Sequence, residues 1–179
     1  MKRSETPMTV PRTARRVIGI DPGSVKTGFG VIEVTGSEAV YIASGVIQAG
    51  TGAFAARLHT IFMGISAVIS EHKATESAIE EVFVNRNVQS ALKLGQARGA
   101  AICACAGGEL AVHEYSARAV KQALVGRGGA DKSQVGYMVR AMLGLQGTLR
   151  EDAADALAVA LAHTQHDRLG ARIASGAQR

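Results

Sequence analysis

The sequence is poor in cysteine, poor in aromatic residues and free of long apolar runs. Its two cysteines, Cys103 and Cys105, lie two positions apart in an apolar, helix-like segment, so their side chains point in different directions. They suit neither a disulfide nor a metal clamp, and we expect both to be buried thiols. No apolar stretch approaches the ~20 residues that cross a bilayer, and the N-terminus lacks the apolar core of a signal peptide. These absences predict a cytoplasmic protein without a membrane segment.

The chain does contain enough apolar side chain for one domain, and its basic charge is unevenly distributed. Of 179 residues, 47% are hydrophobic, and the formal net charge is +5. We expect a disordered basic tail over 1–16, one domain over 17–166 and a flexible C-terminal tail over 167–179. The segment 86–140 carries eight Lys or Arg against three acids. This asymmetry favours a surface that binds an anionic polymer beside a pocket that holds cations, although a scattered solvated surface would have the same charge.

The stretch from Val17 to Ser24 predicts a buried strand that ends at an acid. A β-branched apolar run stops at Asp21, and Pro22 and Gly23 then supply a tight turn. Polar groups from distant parts of a chain converge at the ends of central strands in such sheets. Asp21 is therefore a candidate site residue, although an Asp that only begins the turn would give the same pattern.

The remaining apolar pattern predicts an α/β fold with a mixed five-stranded sheet, its first three strands antiparallel, flanked by helices. A hairpin or meander accounts for the β-rich stretches 28–34 and 39–48, and helical spacing of apolar residues follows over 53–72. The later elements are a strand over 77–84, a helix over 88–106, a strand over 110–115, and helices over 117–124, 131–145 and 151–163.

The helix over 88–106 carries a stripe of small residues four positions apart. Such a stripe lets another backbone approach closely, from this chain's own sheet or from a second subunit. We expect packing within the chain. The stripe consists of Ala91, Gly95, Gly99, Cys103 and Gly107.

Carboxylates also interrupt the later apolar segments. Glu80 and Glu81 lie within a strand, where a buried carboxylate without a partner costs several kcal/mol. At least one should face a cation, while Glu81 can point to solvent at the strand end. Asp152 and Asp155 share a face of the last helix. Asp152 could simply cap that helix, but no Lys or Arg in the helix neutralises Asp155, so a divalent metal is the most economical partner. His163 and His166 are predicted to mark its fraying end.

These acids form a candidate metal site. Hard oxygen ligands without paired Cys or His select Mg²⁺ or Mn²⁺ over Zn²⁺. The glycine-rich loop 126–129, with Arg127 and Lys132, could follow a phosphate backbone, although a plain connector is equally consistent with it. Phe83, one of four Phe in a chain without Trp, is either core or a ring that stacks on a nucleobase. Lys93 and Arg98, in the basic segment, are further candidate contacts of the anionic polymer.

Taken in order, these motifs resemble the RuvC family of crossover-junction (Holliday junction) endodeoxyribonucleases, which has the ribonuclease H-like fold. The resemblance runs from about Val17 to His163, and the basic tail before it departs from the family's short start, so Met8 is a candidate first residue. The motifs are Gly19-Ile20-Asp21-Pro22-Gly23-Ser24, Ile79-Glu80-Glu81-Val82-Phe83, Ser90-Ala91-Leu92-Lys93-Leu94-Gly95-Gln96-Ala97-Arg98-Gly99, Val120-Lys121-Gln122, Lys132-Ser133-Gln134 and Asp152-Ala153-Ala154-Asp155-Ala156-Leu157-Ala158.

The resemblance implies a homodimer that binds a four-way DNA junction and nicks two strands of like polarity, in homologous recombination and DNA repair. It implies two Mg²⁺ ions per site, with Mn²⁺ as a substitute, and the branch-migration proteins RuvA and RuvB as partners. It further implies Phe83 as a base contact and Lys121 and Lys132 as phosphate contacts near the cut. The implied catalytic and metal-binding acids are Asp21, Glu80, Asp152 and Asp155.

Three other functions compete with this one. The loop after Asp21 is similar to the phosphate loop of the actin and sugar-kinase fold, but that fold needs a second half and about twice the length. A ribosomal RNA processing nuclease of the YqgF type shares the ribonuclease H-like fold but lacks the run over 90–99 in this form. A junction-binding protein without catalysis would not need all four acids.

Overall fold

The computed structural model describes residues 14–82 and 87–176, with the side chains of the last helix described up to Arg168. None of the helices in these ranges has the length and apolar character needed to cross a membrane. Within the same ranges the elements are β1 (Arg15–Asp21), β2 (Lys26–Thr35), β3 (Glu38–Gln48), α1 (Phe54–His72), β4 (Glu76–Glu80), α2 (Val88–Gly107), β5 (Ala111–Tyr115), α3 (Ala117–Val125), α4 (Lys132–Leu143) and α5 (Glu151–Gly176).

The five strands form one mixed sheet in the order β3-β2-β1-β4-β5. The first three strands pair antiparallel, whereas β4 runs parallel to both β1 and β5. The parallel pairs require crossover connections, which α1 and α2 supply. The arrangement confirms the α/β fold and the sheet predicted from the sequence.

The sheet has a hydrophobic core on each face, because successive side chains of a strand point to opposite sides. Val17 and Ile32 pack against α3, α4 and α5 on one face. Ile18 and Ile20 pack against α1 and α2 on the other face. Both faces of β1 are therefore covered, which explains why its sequence is apolar without interruption from Val17 up to Asp21.

Helix α5 lies directly on the backbone of β1 and β2, because glycines face it there. A Cβ atom added at Gly19 would stand 2.1 Å from the carbonyl oxygen of Ala156, and one at Gly28 would stand 2.0 Å from that of Asp152. Gly28 is also the residue that pairs with Asp21 in the β1–β2 register. These contacts place the first turns of α5 over the end of β1.

The structure differs from the sequence prediction at both ends of the domain. Strand β1 begins at Arg15, two residues before the predicted boundary, and α5 continues past 166 to Gly176. The two ends are joined, because Arg15 Nη1 lies 2.6 Å from Glu76 Oε2 and 2.5 Å from Asp167 Oδ2. Residues 1–13 and 177–179 of the two predicted tails lie outside the described residues.

His163 is buried in the middle of α5, not at a fraying end as predicted. Its side chain is 1% exposed, and its Nδ1 lies 2.8 Å from the Tyr115 hydroxyl. Its Nε2 lies 3.0 Å from Glu76 Oε2. The histidine therefore continues the ion-pair network of Arg15, and this network holds β1, β4, β5 and α5 together.

The small-residue stripe of α2 faces outward, so the expectation of packing within the chain is wrong. A Cβ atom added at Gly95, Gly99 or Gly107 would meet nothing within 4 Å. Cys103 on the same stripe is exposed, which corrects its prediction as a buried thiol, whereas Cys105 is buried as predicted. The helix packs instead through the face that carries Ala97, Ala101, Ala104 and Cys105.

Candidate active site

A pocket at one edge of the sheet brings together acids from three distant elements. Asp21 ends β1 and Glu80 ends β4, and since Ile20 pairs with Ile79 in the parallel register, the two acids leave the sheet side by side. Asp155 on α5 lines the same pocket. The carboxyl ends of parallel strands meet at one sheet edge, which is why residues this far apart in sequence converge.

Burial and neighbouring negative charge raise the pKa values of two carboxyl groups in this pocket, those of Asp21 and Glu80. Burial, followed by the charges of Glu80, Asp155 and Asp152, raises the pKa of Asp21 to about 8. Burial and the charge of Asp155 also raise the pKa of Glu80, while a hydrogen bond with the Asp21 side chain opposes that rise. In the absence of added cations, Asp21 therefore holds a proton at neutral pH.

Asp152 takes part through its charge and not as a wall of the pocket. It lies in the first turn of α5, where the helix dipole also favours a carboxylate. The residues that line the pocket are Asp21, Glu80, Ala117, Val120, Lys121, Lys132, Val135, Asp155, Ala158 and Val159. Three of the four predicted acids thus share one pocket, and the charge of the fourth reaches Asp21.

The only Asp, Glu or His trio in the described ranges whose ligand atoms all lie within 4.8 Å of one another is elsewhere in the fold. It consists of Glu76, His163 and Asp167, and Glu76 begins β4 whereas Glu80 ends it. Arg15 already neutralises both carboxylates of this trio. The four predicted acids are therefore less tightly gathered than this trio, but they carry the less compensated negative charge.

Lys132 supplies the positive charge that the residues of α5 around Asp155 lack. Its Nζ lies 2.5 Å from Glu151 Oε1 and 3.1 Å from Asp155 Oδ2. The hydrogen bond to Glu151, more than that to Asp155, raises the pKa of Lys132. Positive charge from outside the helix therefore does reach Asp155, as expected, and in the described structure Lys132 supplies it. The lysine belongs to α4, so no pattern within α5 could reveal it.

The first residue of α4 is held in place by a local signal that the sequence does contain. Asp131 accepts from the backbone N–H of Gln134, and the Gln134 side chain accepts from the backbone N–H of Asp131. This capping box fixes the start of the helix. Lys132 is the first helical residue after it, so its side chain leaves the helix beside the pocket.

The predicted DNA contacts are not equivalent in the structure. Lys121 lines the acidic pocket and also a second pocket with Arg118, Gly128 and Gly129. Arg127 lies in the adjoining loop, and Lys93 is exposed on the outer part of α2. Phe83 falls in residues 83–86, outside the described part of the chain, so its role stays a prediction.

Arg98 has a supporting position that the sequence did not indicate. Its guanidinium donates to the backbone carbonyl of Glu80 at 3.2 Å and is paired with Glu114. It therefore holds the end of β4, and its contact with DNA stays a prediction. Arg57 supports the end of β1, since its guanidinium donates to the backbone carbonyl of Ser24 in the loop after Asp21. Neither contact has a signal in the sequence, because each joins separate elements.

Comparison with known proteins decides the family. Residues 17–163 match the profile of the family described as crossover junction endodeoxyribonuclease RuvC. Proteins of that name from Alkalilimnicola ehrlichii and Marinobacter nauticus are 51% and 53% identical, over 88% and 89% of this chain and 96% and 95% of their own lengths. The chain belongs to the RuvC family. This confirms the family resemblance and the class of enzyme that it implies.

Solved structures of similar proteins agree with this assignment. The RuvC of Thermus thermophilus in complex with a Holliday junction substrate matches with a TM-score of 0.82 and 36% identity, over 87% of this chain and 96% of that one. The yeast mitochondrial Holliday junction resolvase Ydc2 matches with a TM-score of 0.64 at 11% identity, over 88% and 80%, which supports the fold alone. The ribonuclease H-like fold of the RuvC family is confirmed.

Proposed function

We propose that this chain is a metal-dependent endodeoxyribonuclease that resolves four-way DNA junctions by nicking two strands of like polarity symmetrically. The observation that carries the proposal is the pocket in which Asp21, Glu80 and Asp155 meet beside Lys121 and Lys132. Membership of the RuvC family supports it, as does the T. thermophilus relative whose structure contains a Holliday junction substrate. We assign the activity to homologous recombination and DNA repair.

The donor set of the pocket suits hard divalent cations. Asp21, Glu80 and Asp155 offer carboxylate oxygens and Asp152 adds charge, while burial and then these neighbouring charges raise the pKa of Asp21 to about 8. We therefore assign these four acids as the holders of Mg²⁺, two ions per site, with Mn²⁺ as a substitute. When bound, such ions stabilise the charge on the attacking and leaving oxygens of an in-line displacement at phosphorus.

The side chains around the acids have separate tasks. Asp21 has to lose its proton before it can act as a ligand, so metal binding and deprotonation are coupled. Lys121 and Lys132 present ammonium groups to the scissile region of the DNA backbone, which we infer they contact. Arg127, Lys93 and the ring of Phe83 are proposed contacts farther along the DNA. Arg98 keeps Glu80 in place through its backbone carbonyl.

The outward face of α2 supports the predicted homodimer. Its glycines leave open space above them, and two large apolar side chains, Val88 and Leu92, are 67% and 60% exposed on the same helix. Two copies related by a two-fold axis would present two equivalent sites to two equivalent strands. RuvA and RuvB as partners, and a cytoplasmic location, stay predictions from the family resemblance and the composition.

Nicking of a labelled synthetic four-way junction tests the proposal. With Mg²⁺ or Mn²⁺ present, we expect one nick in each of two strands of like polarity, each with a 5′-phosphate and a 3′-hydroxyl. Linear duplex of the same sequence is the control and should stay intact. Tight junction binding without nicking in either metal would instead identify a non-catalytic junction-binding protein.

A further inference from the structure

Glu151 has no place among the acids assigned to metal, yet it makes the shortest ion pair at the pocket. Its Oε1 lies 2.5 Å from Lys132 Nζ, whereas Asp155 Oδ2 lies 3.1 Å from the same nitrogen. Glu151 and Asp155 are four residues apart on α5, so they occupy one face of the helix about one turn from each other. Lys132 thus has two docking positions on a single helix face.

The two docking positions differ in their surroundings. Asp155 is 25% exposed and lies in the pocket, whereas Glu151 is 69% exposed. Burial and neighbouring acids raise the pKa values of Asp21 and Glu80, and the charge of Lys132 opposes part of that rise in both. In the absence of divalent ions, the lysine therefore serves as the counter-ion of the acidic pocket.

A divalent ion among these acids would repel the ammonium group of Lys132. Without Glu151, the displaced lysine would have to enter solvent or stay unpaired beside a like charge. With Glu151, it keeps a carboxylate partner within one turn of α5. The same carboxylate prevents Lys132 from binding Asp155 alone.

We propose that Glu151 is a positioning residue that draws Lys132 away from Asp155, so that the lysine yields this acid to a divalent ion and stays at the edge of the pocket. The inference rests on the proposed function, because it assigns Asp155 to metal. Lys132 and the divalent ion compete for one carboxylate, and Glu151 shifts that competition toward the ion. Glu151 itself touches neither DNA nor metal.

Mn²⁺ binding to the DNA-free, full-length chain tests this directly, with free Mn²⁺ measured by electron paramagnetic resonance. Lys132→Met removes the competitor, so the Mn²⁺ dissociation constant should fall about threefold, the size of one exposed ion pair. Glu151→Gln should raise it about threefold, because Lys132 is then left with Asp155 alone. In the Lys132→Met background, Glu151→Gln should change the Mn²⁺ dissociation constant only slightly, because only the loss of the negative charge of Glu151 then acts on the ion.

Two matched variants serve as controls. Glu33→Gln makes the same carboxylate-to-amide change in a remote ion pair, with Arg16 at 3.0 Å, and should leave Mn²⁺ binding unchanged. Glu151→Asp keeps the charge and should restore most of the wild-type affinity. A structural role for Glu151 would not depend on the residue at position 132, whereas a positioning role does.

The outcomes separate this inference from the proposed function. Unchanged or weaker Mn²⁺ binding in Lys132→Met overturns the competition between lysine and metal. An equal effect of Glu151→Gln in both backgrounds shows that Glu151 acts by its charge alone and overturns the positioning role. Wild-type Mn²⁺ binding by Asp155→Asn, or none by the unmodified chain, overturns the metal assignment itself, and the inference falls with it.

Discussion

The two ends of strand β4 each carry an acid cluster, and the clusters differ in how their charge is balanced. At the Glu76 end, Arg15 bridges two carboxylates and the buried His163 completes the hydrogen bonding. At the Glu80 end, burial and neighbouring acids raise the pKa of Asp21 to about 8 even with Lys132 nearby. Close packing of acids thus marks a structural clamp at one end, and uncompensated charge marks the candidate active site at the other.

The largest contrast should appear when acids of the pocket are neutralised. Asp21→Asn, Glu80→Gln, Asp152→Asn and Asp155→Asn should each reduce junction nicking on the order of a thousandfold, because metal ions contribute several kcal/mol to such reactions. Junction binding, measured by gel shift without divalent ions, should change little. Near-normal cleavage by two of these variants would place the active site elsewhere.

A substitution in the cluster at the Glu76 end of β4 should lower the stability of the fold and leave catalysis intact. His163→Ala removes a buried ring and leaves the Tyr115 hydroxyl and Glu76 without their partner, so it should lower the free energy of unfolding by about 3 kcal/mol. Urea denaturation at neutral pH measures this loss. The folded fraction of the variant should still nick junctions, and a specific loss of nicking without a loss of stability would break the distinction between the two clusters.

The raised pKa of Asp21 should make the free energy of unfolding depend on pH. Its carboxyl group has an ordinary pKa of 3.8 and a folded-state pKa of about 8, so between these values the folded chain holds a proton that the unfolded chain releases. Stability therefore falls as pH rises through this window, and the loss is complete above about pH 8.

Replacing Asp21 removes this proton linkage. With divalent ions chelated, Asp21→Asn should stabilise the fold by several kcal/mol at pH 8 and by almost nothing near pH 4. Denaturation curves of both proteins across that range measure the difference. A difference that does not vary with pH would show that the carboxyl group is not protonated in the folded chain.

The smallest expected effects concern the lysines that line the pocket. Lys121→Ala and Lys132→Ala should each reduce the salt dependence of junction binding by about one unit of slope, as expected for one lost phosphate contact. The measurement is junction affinity over a range of salt concentrations. Slopes identical to that of the unmodified chain would remove these residues from the DNA surface.

Local features of this chain could be predicted from the sequence because their causes are local. A capping box at Asp131 marks the start of α4. The apolar run before Asp21 is typical of a strand that is covered on both faces, and its side chains are buried in the structure. The four acids could be placed on their elements in the same way. That Asp21 and Glu80 lie side by side follows from the parallel pairing of β1 and β4, and Asp155 joins them because α5 packs on the glycines of β1 and β2.

Features that join distant residues could not be predicted. Arg15 and Asp167 are 152 positions apart, so their ion pair, and with it the continuation of α5 past 166, has no sequence signal. The pairing of Lys132 with Asp155 crosses from α4 to α5. The spacing of small residues in α2 shows that they share a face, but only the packing of Ala97 and Ala101 shows which face is covered.

The contact between α5 and the glycines of the sheet determines how this site tolerates change. Since the carbonyl of Asp152 lies over Gly28 and that of Ala156 over Gly19, main-chain atoms set the closest approach of α5 to the strands, and with it the span between Asp21 and the acids of α5. A methyl group at position 28 would collide with the carbonyl oxygen of Asp152 and push the start of α5, with its acids, away from Asp21.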